Sequence, residues 1–112
     1  MLIYNIILLL LAHWIADFLL QTDKMALNKS RSWGWLTYHV AVYSAVMTFA
    51  TANLTFGVVT FIAHWLTDAM TSRVNAKLWQ ANERHYFFVS VGFDQWLHQI
   101  QLLLTVAWLL EW

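Results

Sequence analysis

The sequence contains no cysteine, no proline and only three glycines. Without cysteine there is no disulfide and no thiolate metal site, so any metal must be held by nitrogen and oxygen. Without proline no helix has a built-in break. Charge is scarce as well: 11% of the residues are Asp, Glu, Lys or Arg, against about 25% in soluble domains. Six basic and six acidic residues cancel, so no global field draws in nucleic acid, and no nucleic-acid binding is expected. No Gly/Ser-rich linker or low-complexity tract divides the chain, and 112 residues point to a single domain over 1–112. The start, MLIYNIILLL, has no basic segment before its apolar run. No small-residue cleavage site follows, so it reads as a retained span rather than a signal peptide.

What the chain does have is apolar length: 61% of its residues are hydrophobic. Crossing a bilayer as a helix takes about 20 mainly apolar residues. Four segments meet that need, 2–20, 33–52, 54–71 and 87–110. None alternates with period two, so an all-α integral membrane bundle of four transmembrane helices is expected. Lys24, Lys29 and Arg31 fall in the connection 21–32, and Arg73, Lys77 and Arg84 in the connection 72–86. All six basic residues thus lie on one side. The positive-inside rule makes that side cytoplasmic and puts both termini outside a bacterial inner membrane. Membrane lipids are the expected partners, and a bundle this small could form a homo-oligomer to enclose a site. The stretch 73–80 has the character of an amphipathic surface helix.

Ionisable residues inside the spans are few: His13, Asp17, His39, His64, Asp68, Asp94 and His98. Three of the spans carry a His/Asp pair at i and i+4, which shares one helix face. That is also the spacing with which two side chains on one helix reach a single metal. Asp17, His39, Asp68 and Asp94 all lie roughly 6 Å from the basic end of their spans, taking 1.5 Å per residue. His13, His64 and His98 lie one turn deeper. A carboxylate at mid-span costs about 2.5–3.5 kcal/mol, so such groups face the interior and find partners. Three aspartates together require positive charge, and two divalent cations with one hydroxide would balance them. All seven residues are therefore candidate ligands, with His39 the weakest, and Asp17, Asp68 and Asp94 the candidate catalytic carboxylates. A mixed His/Asp set suits zinc, manganese or iron(II). Gln21, Gln95 and Gln101 are candidates to orient the ligands. Lys24 and Arg73, nearer the basic end, are candidates to hold an anionic substrate. Lys29, Arg31, Lys77 and Arg84 read as topology signals first, Trp14 and Trp65 as lipid-facing or packing residues, and His85 as a solvated residue. The bland reading is that each His–Asp pair is hydrogen-bonded glue between helices, at about 1 kcal/mol per contact. One shared depth for three pairs and His39 weighs against it.

AHWIAD at 12–17 returns as AHWLTD at 63–68, and each copy opens a hairpin whose second helix carries a further histidine, in YHV at 38–40 and LHQ at 97–99. Two parallel hairpin repeats would place the pairs on opposite sides of one central site. The string AHWIADFLLQTDKMALNKS, with YHV, HWLTD and FDQWLHQ, resembles a family of small phage and bacterial integral membrane proteins of unknown function. The resemblance spans nearly the whole chain. It implies that His13, Asp17, Gln21, Lys24, His39, His64, Asp68, Asp94, Gln95 and His98 occupy the family's characteristic positions. Thr71 stands where the resemblance leads one to expect a lysine. More distantly, the HxxxD helices look like those of membrane-bound metal-dependent hydrolases.

The expectation that follows is a membrane-embedded hydrolase with a dinuclear His/Asp site near the cytoplasmic face. Its substrate would be a phosphoester or diphosphate, in a lipid head group or a nucleotide. Two alternatives stay open. One is a divalent-cation or proton transporter, whose transit site the same ladder could be. The other is a non-enzymatic interaction protein with a structural metal.

Overall fold

A computed structural model describes residues 2–112, and among them every regular element is helical. The elements are α1 (Leu2–Trp14), a π-helical segment (Ile15–Leu19), α2 (Asp23–Asn28), α3 (Trp33–Thr51), α4 (Leu54–Gln80) and α5 (Arg84–Leu109). Helix starts follow local capping chemistry. Thr22, Ser32 and Asn53 accept the backbone N–H groups of Met25, Trp35 and Phe56, at 3.3, 3.3 and 2.9 Å, which begins α2, α3 and α4.

Three differences from the sequence expectation matter for the site. First, 21–32 is not a plain loop: α2 forms there, anchored by Met25, which is 3% exposed. Second, the third helix does not end at 71: α4 continues through 73–80 to Gln80. Third, the two AHWxxD copies are not structural equivalents. The second lies in the regular α4, whereas the first runs into the π-helical turn, marked by the Leu20 N–H bond to the Ile15 carbonyl at 2.8 Å. A π turn is wider than an α turn and is commonly found at functional sites.

By length and composition, one stretch among the described residues, Leu2–Leu19, suffices to cross a membrane. The other long helices are diluted: α4 by Asp68, Arg73 and Lys77, α5 by Arg84, Asp94 and its glutamines, α3 by its tryptophans, tyrosines and His39. The surface is nevertheless apolar. Along α4, Leu54, Val58, Ile62, Leu66 and Met70 form a stripe 51–72% exposed. The interior is correspondingly polar, since buried His, Asp, Ser and Thr side chains match the buried apolar ones in number.

An apolar layer of Leu9, Met47, Phe56, Leu102 and Val106 closes one end of the bundle. The α3–α4 hairpin is tight there. A Cβ on Gly57 would come within 3.1 Å of Thr48 Cβ and 3.2 Å of the Ser44 carbonyl, and would collide with Thr48 Oγ1. Thr48 Oγ1 is itself held by a 2.9 Å bond to that carbonyl. Gly57→Ala is therefore expected to destabilise the protein by about 1–3 kcal/mol, the usual overpacking cost. Thermal unfolding should show part of that loss restored by adding Thr48→Ala, which removes the clashing hydroxyl.

Candidate metal centre

Four elements deliver the ionisable groups. In the antiparallel α4–α5 pair, His64 and Asp68 lie against His98 and Asp94. The imidazoles of His64 and His98 stack with centroids 3.9 Å apart and planes 6° from parallel. One turn along, the Thr71 hydroxyl donates to Asp94 Oδ1 at 2.5 Å, which gives that threonine a role. His39 comes from α3, its ring centroid 5.3 Å from that of His64. Asp17 comes from the π-helical segment. These six side chains belong to residues at most 5% exposed.

Their donor atoms converge. Asp17 Oδ1 lies 3.1 Å from His39 Nε2 and 3.7 Å from His64 Nε2. Asp68 Oδ2 lies 3.6 Å from His39 Nε2 and 3.8 Å from His64 Nε2. Around this ring of four atoms, neighbours are thus 3.1–3.8 Å apart. Tetrahedral zinc, with bonds of about 2.0–2.1 Å, sets its ligand atoms about 3.3 Å apart. The other oxygen of Asp68 faces a second group: Oδ1 is 3.9 Å from His98 Nε2, which is 3.1 Å from Asp94 Oδ1. Asp68 therefore offers one oxygen to His39 and His64 and the other to Asp94 and His98, as a carboxylate bridging two cations does. Each of these two triads has donor atoms within 4.8 Å of one another, as has a third, Asp17–His64–His98.

The close contacts are not hydrogen bonds. Both nitrogens of His39, His64 and His98, and Asp17 Oδ1, are buried without a hydrogen-bond partner. An unsatisfied buried polar group costs about 1–3 kcal/mol. Four such side chains amount to about 4–12 kcal/mol, comparable to the entire net stability of a domain. A cation among them would engage Asp17 Oδ1 and the Nε2 atoms that face it. The donor set, histidine and carboxylate without sulfur, fits a divalent metal.

Around the centre, Gln95 is the organiser. Its amide donates to the outer oxygens of Asp17 (3.0 Å) and Asp94 (3.2 Å), which leaves Asp17 Oδ1 without a partner while Asp94 Oδ1 accepts from Thr71. Its own carbonyl accepts from His13 Nε2 at 2.8 Å. His13 Nδ1 accepts from the Tyr43 hydroxyl at 2.7 Å, the tautomer that makes every member of the chain consistent. His13, expected as a ligand, thus has both nitrogens occupied and stands outside all three triads. The π turn explains this, because its extra width breaks the shared face that i,i+4 spacing gives His13 and Asp17 in an α-helix. Tyr43, 1% exposed and packed on the His64 ring at 4.0 Å, escaped the sequence reading. Its signal was the i,i+4 spacing from His39.

Beside the centre lies a cavity of about 710 Å³, with Asp17, Asp94 and Gln95 at one end and Lys29, Arg31, Arg73 and Lys77 among its walls. Arg73 is where an anion-holding residue was expected; it also stacks on Trp33 at 4.0 Å and bonds the Ala69 carbonyl at 2.9 Å. Gln21 lines the same cavity, its Oε1 buried without a partner. Lys24 does not line it: α2 turns that side chain outward, to a separate hollow by Trp35 and Tyr38. Gln101 bonds the Thr67 hydroxyl at 2.6 Å instead of a ligand. His85 is exposed. Lys29, read from sequence as a topology signal, is the cation that enters the site: its Nζ lies 2.9 Å from Asp68 Oδ2. Burial opposes its charge, but Asp68 and Asp17 outweigh that and hold the ammonium above its ordinary pKa.

Elemental analysis of purified variants separates ligands from supports. His64→Ala and Asp68→Asn are expected to lose stoichiometric metal, whereas His13→Ala keeps it with about 10–100-fold weaker affinity, the usual effect of a supporting group. Lys29→Met, assayed after chelation, is expected to lower stability by about 3–5 kcal/mol, the cost of stranding a buried carboxylate. Restoring metal should recover most of that loss, read as a rise in unfolding temperature.

No curated protein and no solved structure matches the chain. A family model described as "Protein of unknown function (DUF3307)" matches residues 5–111. Since that is nearly the whole chain, the protein belongs to the DUF3307 family.

Proposed function

We propose that this protein is an integral membrane, metal-dependent hydrolase acting on a phosphoester or diphosphate. The observation that carries the reading is the convergence of Asp17, His39, His64, Asp68, Asp94 and His98 at the end of a cavity walled by four cationic side chains. Asp68, with one oxygen toward each triad, supports two ions rather than one.

The membrane part of the proposal rests on the inverted distribution of polarity. Monomeric soluble proteins rarely expose contiguous apolar patches beyond a few hundred Å². Here apolar stripes cover the outer faces while imidazoles and carboxylates fill the inside. A bilayer is the solvent that makes both arrangements favourable. The basic residues Lys29, Arg31, Arg73 and Lys77 line the cavity, which supports a cytoplasmic-side position for it.

Two divalent cations would supply Lewis acidity toward a phosphoryl oxygen and bring the pKa of a water to about 7. The chain's own residues supply the rest. Gln95 fixes the carboxylates of Asp17 and Asp94, and the Tyr43–His13 chain fixes Gln95. Arg31 and Lys77, which have no ion-pair partner among the described residues, attract the anionic group. The apolar layer behind His64 and His98 keeps bulk water to one side. That layer also weighs against the transport alternative, since a pathway needs polar stations beyond it. The space below the imidazoles is about 10 Å³, no more than one water.

The deciding measurement is phosphate release from phospholipid, polyprenyl-diphosphate and nucleotide panels by metal-loaded protein. Release that stops on chelation and is lost in Asp94→Asn and His64→Ala is the expected result. A fully loaded protein inert toward every class would overturn the hydrolase reading and leave a structural metal.

A further inference from the structure

The cavity has two kinds of wall. Lys29, Arg31, Arg73 and Lys77 make one part cationic; Phe18, Leu27, Trp79, Phe87 and Val91 make the rest apolar. A small water-soluble anion has no use for the second part. A purely apolar guest would leave the charges of Arg31 and Lys77 without a counterion. At about 710 Å³ the space is in the range of ligand pockets and holds more than a phosphate group.

The bundle is also open on one side. No Cα of the π-helical segment comes within 8 Å of a Cα of α5, and the two are joined there through the Gln95 side chain on Asp17. The cavity beside this seam is lined by Phe18 of the π-helical segment and by Val91 and Phe87 of α5, the last packed on Trp79 at 4.9 Å. Phe18 is 47% exposed, and the outer surface beside the seam continues apolar through Phe88 at 64%. The cavity reached from the bundle's flank is therefore lined by both hydrocarbon and cations.

We infer that the substrate is an amphiphile, a phosphate- or diphosphate-headed lipid. It enters sideways between the π-helical segment and α5, with its head at the metal centre and its chain along Phe18, Phe87 and Val91. This rests on the phosphoester reading above and decides between its two substrate sources, lipid and nucleotide. Arg31 and Lys77 hold the head, and Asp94 and Gln95 mark where it stops.

Binding of two probes to the metal-loaded full chain tests the idea. The probes are inorganic phosphate and octyl phosphate, titrated calorimetrically below the micellar concentration of the latter. Octyl phosphate is expected to bind at least 10-fold more tightly. In Val91→Trp, which fills the seam, the ratio of the two dissociation constants should fall toward one while metal content stays stoichiometric. Val91→Phe should move the ratio the same way to a smaller extent, and serves if the larger residue impairs folding. Equal affinity for the two probes, or a ratio unmoved by either variant, overturns the lateral amphiphile and favours a nucleotide-like substrate. Loaded protein that binds neither probe overturns the phosphoester reading itself.

Discussion

Everything in this fold answers to one constraint, the cost of holding carboxylates and imidazoles away from water. Six such side chains from four elements meet at residues at most 5% exposed. Left without partners they would consume the whole stability of a chain this size. The surrounding architecture brings compensation to them. The α4–α5 pair supplies two His/Asp turns in antiparallel register, and the tight hairpin at Gly57 brings α3 close to α4. The π turn swings Asp17 in, and α2 lowers Lys29 onto Asp68.

Charge can be counted at this centre. Three aspartates and Lys29 leave two negative charges, which one divalent cation would cancel. Two cations with one hydroxide, which balance the three aspartates alone, would leave one positive charge once Lys29 is counted. Lys29 thus shifts the balance from the one that the aspartates alone suggest.

The same constraint shapes the outside. A core that spends half its places on polar groups cannot also shelter the chain's hydrophobic majority, so leucine, valine and aromatic side chains face outward. In water that distribution opposes folding, whereas in a bilayer it is the stable one.

Helicity and the approach of the His/Asp pairs on α4 and α5 were legible in the sequence, because regular α-helices translate spacing directly into direction, although α4 runs to Gln80 rather than ending at 71. His64 with Asp68 and Asp94 with His98 needed no more than that rule. His39 was visible as an ionisable group at the same depth. The sequence could not disclose that thirteen regular residues, Leu2–Trp14, give way to a π turn. Repeated strings such as AHWIAD and AHWLTD carry the same local preferences, and packing decided that one would widen while the other stayed regular. That decision keeps His13 out of the clusters that could hold a metal ion and sets it, with Tyr43 and Gln95, beside them. Lys29 and Lys24 likewise look interchangeable in a basic connection, until a six-residue helix anchored by Met25 turns one inward and the other out. The chain's residue pattern by itself determined which chemistry is present and at what height. Only tertiary structure decided which groups touch, because contacts across helices depend on rotation and closure that no single helix's periodicity contains.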